Sequence, residues 1–172
     1  LVVSGDILGA YAGRSKPDDA DGAFPSAFNA ARCPRYVQDV AFTNIPSNTR
    51  AFFGLRAQPK LGALPAMTER HAGIVFDGEG LIGSSSDGNG VGQTSSIARL
   101  TGETYPGRWL KLEIVIYGDA KVTFKVMSNF GEGDDYGYHS NSSGIPSGDL
   151  DYQELLVTAV AGDSTKQRIT LG

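Results

Sequence analysis

The sequence predicts an all-β protein, an antiparallel β-sandwich of jelly-roll type. Short apolar runs with a period of two recur along the 172 residues, and clusters of turn-forming residues separate them. The 23 glycines and 8 prolines are dispersed rather than periodic, which favours many short elements joined by tight turns. Helical periodicity is nearly absent, with one candidate helical turn at 20–32. The sequence has no repeat of fixed period, which argues against a solenoid or propeller.

The clearest strands form a hairpin between residues 108 and 127. In the first strand, positions 110, 112, 114 and 116 are apolar, and Lys111 and Glu113 fall on the other face. In the second strand, positions 122, 124 and 126 are apolar and alternate with polar side chains. Between them, Gly118 and Asp119 suit a two-residue turn of type II′ or I′. The sequence therefore predicts an antiparallel pair with one buried face.

Further runs predict the remaining strands and the domain organisation. Strands are expected at 36–42, 50–57, 72–76, 94–100, 152–160 and 167–171, with further candidates at 1–8 and 81–83. The sandwich domain is assigned to 36–172. Residues 1–35 are assigned to an N-terminal extension, or to a first strand followed by an irregular segment. Two polar segments, 84–93 and 129–148, are predicted loops, and long loops on a rigid sandwich commonly carry binding sites.

Charge and cysteine content exclude several classes of function. Fifteen basic against nineteen acidic residues leave a formal charge of −4, which argues against nucleic acid or an anionic membrane as the partner. No stretch approaches the roughly 18 apolar residues that would span a bilayer, so no membrane insertion is expected. The single cysteine, Cys33, has no partner within the chain for a disulfide, and we expect a buried structural thiol.

Three stretches carry a resemblance to a known fold family. They are RAFFGLR at 50–56, HAGIVFD at 71–77 and GRWLKLEI at 107–114, the last followed by its hairpin partner at 121–126. In order and apolar pattern they resemble the concanavalin A-like lectin/glucanase sandwich, which includes laminin-G-like domains. The resemblance covers about 120 of the 172 residues. It implies an extracellular or virion setting, since such domains occur on glycan-binding proteins, polysaccharide-degrading enzymes, and phage and viral structural proteins.

The residues favour a non-catalytic role over an enzymatic one. Glycoside hydrolysis needs two carboxyl groups that face one bond, but the same-face neighbours of Glu113 are Lys111 and Val115. The resemblance also allows a lyase. The residue types of a lyase site occur here only at separate positions, namely Arg70, His71, Tyr136, Tyr138 and His139. A glycoside hydrolase or lyase of the same fold is therefore the alternative hypothesis.

The segment at 131–141 is the candidate glycan site. It combines aromatic rings, which stack on the C–H patches of sugars, with carboxylates and an amide that bind hydroxyl groups. The predicted glycan-binding residues are Asp134, Asp135, Tyr136, Tyr138, His139 and Asn141. Asn141-Ser142-Ser143 also matches an acceptor sequence for N-glycosylation.

Calcium is the cofactor that the sequence leaves open. Asp87 and Asn89 offer oxygen ligands on a glycine-rich segment, which suits a hard cation, although Asp-Gly and Asn-Gly pairs also simply form turns. An EF-hand loop is excluded, because Val91 and Ala98 occupy positions that would need oxygen ligands.

Together these features predict a structural or adhesion module on a virion or cell exterior, of the phage fibre, spike or decoration type. Its expected partners are other virion or surface-protein chains, a second copy of itself, and a glycan. A purely structural protein without a ligand is the second alternative.

Overall fold

A computed structural model describes residues 11–17, 29–43, 49–58, 63–99, 109–128, 135–150, 152–159 and 168–171. In these ranges the chain forms strands and one short 3-10 turn, Ala30–Arg32. The strands are β1 Tyr11–Pro17, β2 Arg35–Thr43, β3 Thr49–Arg56, β4 His71–Phe76, β5 Gly80–Ser86, β6 Gly92–Arg99, β7 Trp109–Tyr117, β8 Lys121–Ser128, β9 Asp135–Asn141, β10 Tyr152–Ala159 and β11 Arg168–Leu171.

The strands make two antiparallel sheets. One has six strands in the order β1-β10-β3-β4-β5-β6, and the other has five in the order β11-β2-β7-β8-β9. Strands β4, β5 and β6 follow one another through short turns, whereas β10 pairs between β1 and β3. The predicted antiparallel β-sandwich of jelly-roll type is confirmed.

The core lies between the sheets and, in the strands whose side chains are described, takes mainly alternate residues. On β7, Leu112 and Ile114 are fully buried, and Lys111 and Glu113 between them lie partly exposed on the opposite side. The six-stranded sheet contributes Phe53, Leu55, Ile74 and Leu81, among others. The sheets pack closely at Gly83, where an added Cβ would lie 2.4 Å from the ring of Phe124.

The outward sides of the two sheets differ in exposure. Because Ala72 and Ile74 belong to the core, His71 must project from the outward side of the six-stranded sheet. We call this side the covered face, because its polar and aromatic side chains are buried: Phe52, Arg56, His71, Ser84 and Ser86. The outward side of the five-stranded sheet, the open face, presents the exposed side chains of Val37, Tyr117 and Tyr138.

Most predicted strands are confirmed, with bounds that shift by one or two residues. The hairpin turn closes with the Ala120 N–H donating to the Tyr117 carbonyl at 3.0 Å, and Gly118 has a φ of +57°. Asp119 is not among the residues with positive φ, which excludes a type I′ turn. Pairing resumes at Tyr117 and Lys121, so the loop has three residues rather than two.

The predicted loops and the predicted cysteine environment need correction. The loop at 129–148 is wrong over Asp135–Asn141, which forms β9, and the loop at 84–93 is wrong at both ends, which belong to β5 and β6. Cys33 is exposed rather than buried, because it caps the 3-10 turn in the left-handed conformation. β1 pairs along its length with β10, while the candidate strand at 1–8 and most of the helical candidate at 20–32 fall outside the described residues.

Candidate functional site

The open face carries a row of side chains in direct register across four strands. Val37 on β2 is opposite Glu113 on β7, Glu113 is opposite Lys125 on β8, and Lys125 is opposite Tyr138 on β9. Tyr138 is 58% exposed and Val37 is 40% exposed. Directly opposite residues of an antiparallel pair have Cβ atoms about 5 Å apart, so the row forms a continuous strip.

A second row lies beside the first and adds hydroxyl groups and a further charge. Arg35, Val115, Thr123 and Ser140 are opposite one another across the same strands. The Arg35 Nε donates to Glu113 Oε2 at 2.8 Å, and Nη2 of Arg35 contacts the same oxygen. The open face therefore combines an aromatic ring, a lysine, an ion pair and hydroxyl groups on a hydrogen-bonded sheet.

The predicted glycan residues separate into three groups. Asp134 lies outside the described residues, and Asp135 and Tyr136 belong to β9, whose backbone alone is described there. Tyr138 stands on the open face, whereas His139 is opposite Phe124 on the core side of β9. Asn141 is fully buried.

Asn141 joins the edges of the two sheets through its amide. Its Nδ2 donates to Ser85 Oγ and to the Gln93 carbonyl, both at 2.9 Å, and its Oδ1 accepts from Ser95 Oγ at 3.0 Å. The amide is therefore engaged within the protein and does not face solvent. The Asn141 side chain is equally inaccessible to a glycosyl transfer enzyme in the folded domain, despite its acceptor sequence.

Gln93 on β6 fixes the segment that follows β9. Its Oε1 accepts from the backbone N–H groups of Ser142 and Ser143 at 3.0 and 3.1 Å, and from the Ser143 hydroxyl at 3.0 Å. Because β9 is anchored to β6 at this end, Tyr138 is displayed from a fixed strand rather than from a loop.

A polar cleft lies at the end of the six-stranded sheet where β3 ends, β4 begins and β5 ends. Its volume is about 480 Å³, and its polar lining includes Gln58, Glu69, Arg70, Asp87, Asn89 and Asp149. Asp87 Oδ1 accepts from the Asn89 N–H at 2.7 Å, which closes a side-chain turn of the kind that Asp commonly forms.

The calcium prediction at Asp87 and Asn89 stays a prediction. Both residues lie at this cleft, with Arg70 beside them. Among the residues that the structure describes, no group of three acidic, histidine or cysteine side chains is arranged to hold a metal ion.

A buried polar cluster occupies the covered face. His71 Nε2 lies 2.9 Å from Ser84 Oγ, and Nδ1 lies 2.7 Å from the Glu69 carbonyl oxygen. The Glu69 carboxylate pairs with Arg56 at 2.5 Å. Burial lowers the pKa of His71 below its ordinary value of 6.5, and the Arg56 charge lowers it further, while the Glu69 carbonyl and carboxylate act in the opposite direction.

The serine–histidine pair of this cluster is not accessible to a substrate. His71 is 0% and Ser84 is 3% exposed, so the pair lacks the open approach that a nucleophile needs. The carbonyl of Glu69 can only accept a hydrogen bond, so Nδ1 carries the proton and Nε2 accepts from the Ser84 hydroxyl. The hydrogen bonds of the cluster therefore join β4 and β5 to the segment that connects β3 and β4.

The separate ingredients of a lyase are not brought together. His71 lies on the covered face of one sheet, and Tyr138 lies on the open face of the other. Arg70 lines the polar cleft, and Glu113 is held by Arg35. The described residues thus offer no site that combines these groups.

The sequence analysis missed two members of the open-face row, Val37 and Lys125. The alternation in β7 and β8 places Glu113 and Lys125 on one face, and this signal could have found Lys125. The pairing of β9 with β8 is a tertiary contact, and nothing in the local pattern of β9 indicates it.

Comparison with known proteins shows only distant likenesses. No protein-family model matches the chain, and no curated protein matches its sequence. Among solved structures, an alginate lyase from Pseudomonas aeruginosa aligns with 86% of this chain and 65% of its own, at 11% identity and a TM-score of 0.49. The CBM2 module of the evolved Dit of Lactobacillus casei BL23 phage J-1 aligns with 90% and 71%, at 14% identity and a TM-score of 0.40.

A third solved structure is much longer than this protein. A GH43 protein from Bacillus licheniformis aligns with 80% of this chain at 12% identity and a TM-score of 0.41, and the chain spans 26% of that protein. Of the lyase from Pseudomonas aeruginosa, the chain spans just under two thirds. At these identities and scores the likenesses assign no activity, and the fold itself is established by the two sheets described above.

Proposed function

We propose that this protein is a non-catalytic adhesion module of the concanavalin A-like type, which binds glycan on its open face. The observation that carries the proposal is Tyr138, which is 58% exposed and directly opposite Lys125 on a paired strand. An aromatic ring that is largely exposed to solvent costs hydration free energy, and exposed rings are typical of binding surfaces.

The chemistry of the two rows suits a saccharide. The ring of Tyr138 offers an apolar surface to the C–H groups of a sugar ring, and its hydroxyl keeps a polar end. Ser140, which is partly exposed, supplies a hydroxyl group in the adjacent row, and Lys125 supplies a cation for a hydroxyl or carboxylate oxygen. Because β8 and β9 are hydrogen-bonded strands, little backbone entropy is lost when a ligand binds.

The geometry favours binding over catalysis. The carboxylate of Glu113 is engaged by two N–H groups of Arg35, and glycoside hydrolysis requires a pair of carboxyl groups that face the scissile bond. His71, the other residue that the enzymatic alternative needs, is buried on the opposite side of the sandwich.

The proposed setting is a virion or cell exterior, in a fibre, spike or decoration protein. A negative net charge and a sequence rich in Ser, Thr, Asn and Gly support a particle surface rather than a nucleic-acid partner. The expected partners are other chains of the assembly, including copies of this chain. No helix among the described residues is long and apolar enough to cross a membrane.

The test is a glycan-array screen of the labelled protein, followed by titration of the best glycan against two tyrosine variants. Tyr138→Ala is expected to bind about tenfold more weakly, equivalent to about 1.4 kcal/mol. Tyr117→Ala is the matched control, because Tyr117 is 44% exposed on the same face but lies at its end beneath Lys121, whose Nζ is 5.1 Å from the ring.

Equal affinities for the two variants would overturn the assignment of the site to Tyr138. An array without any reproducible hit would overturn glycan binding. The alternative hypothesis, a purely structural protein without a ligand, would then remain. Turnover of a polysaccharide by the wild-type protein would contradict the non-catalytic assignment and favour the enzymatic alternative.

A further inference from the structure

The polar cleft at the end of the six-stranded sheet is built from four separate segments, and each is fixed by hydrogen bonds. The Ala57 N–H donates to the Arg70 carbonyl at 3.0 Å, and the Glu69 N–H donates to the Ala66 carbonyl at 2.9 Å. Asn29 Nδ2 donates to Asp149 Oδ1 at 2.6 Å. The β5–β6 turn is closed by Asp87, as described above. The cleft is therefore largely formed before any ligand arrives.

Arg70 crosses this cleft between two glycines that leave space for it. Gly88 has a φ of +86°, and a Cβ there would lie 3.2 Å from both Cβ and N of Arg70. Gly148 has a φ of +82°, and a Cβ there would lie 3.1 Å from Arg70 Nη1. Both positions therefore favour glycine through backbone conformation and through the approach of Arg70.

The guanidinium of Arg70 is incompletely used by the protein. Nη1 donates to the Asp149 carbonyl at 3.1 Å, and Nε is buried without a hydrogen-bond partner among the described residues. A guanidinium has five N–H donors in one plane. Arg70 lines the cleft together with Asp87, whose carboxylate supplies acceptor oxygens.

The charges around the cleft favour a neutral ligand. Glu69 is compensated by Arg56, at 2.5 Å, which leaves one cation, Arg70, and two carboxylates, Asp87 and Asp149, in the lining of the cleft. A strongly anionic ligand would meet the carboxylates, and a strongly cationic one would meet Arg70. Hydroxyl groups both donate and accept, so adjacent hydroxyls of one ligand can satisfy a guanidinium and a carboxylate together.

We propose that this cleft is a second saccharide subsite, in which Arg70 donates to one hydroxyl group of a neutral sugar and Asp87 accepts from its neighbour. Asn89 and Gln58, both exposed at the rim, supply amide contacts to further hydroxyl groups. The volume of about 480 Å³ lies within the range of small-ligand sites. The inference rests on the proposed glycan-binding function and extends it to a site independent of Tyr138.

The test is an NMR titration of the isotope-labelled chain with glucose, galactose, mannose and N-acetylglucosamine, and with glucuronate as the charged probe. At least one neutral sugar is expected to shift the backbone resonances of 57–58, 68–70 and 87–89. Asp87→Asn is expected to weaken that binding at least about tenfold. This variant keeps the oxygen that accepts from the Asn89 N–H, so its fold is expected to be retained.

Asp77→Asn is the matched control. Asp77 closes the β4–β5 turn in the same way, with Oδ1 accepting from the N–H groups of Glu79 and Gly80 at 2.9 and 2.8 Å, but it lies outside the cleft. It is expected to bind like the wild type. Asn89→Ala, which removes an exposed side chain, provides a second cleft variant that does not depend on the turn.

The outcomes separate this inference from the proposed function. Binding that is lost in Asp87→Asn and kept in Tyr138→Ala supports the cleft. Binding that is lost in Tyr138→Ala and unchanged in Asp87→Asn and Asn89→Ala overturns the cleft and leaves the open face. Shifts with glucuronate alone, or no shifts in the three segments with any probe, also overturn the neutral-sugar subsite.

Discussion

At the scale of single residues, specific hydrogen bonds hold His71 in the interior. His71 has one tautomer, because the Glu69 carbonyl accepts from Nδ1 and the Ser84 hydroxyl donates to Nε2. Its ring also meets that of Phe52 edge to face, with centroids 6.2 Å apart. These contacts stabilise the neutral imidazole, so protonation of His71 lowers the stability of the folded state.

We expect His71 to make the protein less stable in acid. Its pKa in the folded state lies below 6.5 because burial disfavours the charged ring, so the unfolded chain binds more protons at low pH. The contribution of neutral His71 to the free energy of unfolding is fully present above about pH 6.5. It decreases as the pH falls from there towards the pKa of His71 in the folded state. Thermal unfolding between pH 5 and 8 measures it, and His71→Gln should lose this part of the pH dependence.

His139→Gln is the control for that experiment, because it leaves His71 and its partners in place. The acid-side decrease should persist in this variant. If His71→Gln and the wild type showed the same slope of melting temperature against pH, the assignment to His71 would be wrong.

Asn141 is expected to contribute to stability rather than to ligand contact. Asn141→Ala leaves Ser85, Ser95 and the Gln93 carbonyl without their partner in the interior, which costs about 1–3 kcal/mol in free energy of unfolding. Urea denaturation measures the loss, and Ser142→Ala, which alters an exposed side chain, is the control. A variant as stable as the wild type would contradict the role of this network.

At the scale of strands, the β3–β4 pair depends on two glycines that are opposite each other. Gly54 pairs with Gly73, and the ring of Phe52 lies over them, so that an added Cβ at Gly73 would lie 2.1 Å from the ring. Phe52 is fully buried on the covered face and stacks with Arg56, whose Cζ is 5.9 Å from the ring centroid. The absence of two side chains thus provides the space for one aromatic ring.

Gly73→Ala is expected to lower the free energy of unfolding by about 3 kcal/mol, since the methyl group collides with Phe52 and with the Phe53 carbonyl at 2.9 Å. Gly90→Ala is the control: its φ is +87° but nothing lies within 4 Å of the added Cβ, so about 1 kcal/mol is expected from backbone strain alone. Denaturant unfolding compares them, and equal losses would contradict the packing argument.

Strand β9 shows why one element escaped sequence analysis. Its core-facing residues are Gly137, His139 and Asn141, which carry no apolar alternation. Gly137 accommodates the close approach of Ile97 on β6, whose carbonyl would lie 2.1 Å from an added Cβ. The inner side of β9 therefore carries polar residues and a glycine instead of apolar side chains. For this reason its local sequence pattern resembles that of a loop.

At the scale of the whole molecule, the sandwich has one covered and one open face, and the proposed binding sites lie on the open face and in the cleft at the end of the six-stranded sheet. We expect a homo-oligomer, as in surface assemblies of this type. Size-exclusion chromatography with light scattering on the isolated chain tests this expectation, and a monomer at all concentrations would contradict it.

The calcium prediction at Asp87 and Asn89 is tested in the same samples. A bound cation that stabilises the fold should make the melting temperature fall on addition of EDTA and recover with excess calcium. Asp87→Asn should remove that response. An identical melting temperature with calcium and with EDTA would contradict a calcium site.

The fold class, most strands and the hairpin of β7 and β8 can be predicted from the sequence, because alternation and turn chemistry are local properties of the chain. The same alternation places Glu113 on the solvent side, and residue type places Tyr138 in a candidate site. Which of the predicted glycan residues reach the surface depends instead on contacts between distant strands. Asn141 is buried and Tyr138 is exposed because of the register of β9 on β8 and its contact with β6, and long-range strand pairing leaves no signal in local sequence.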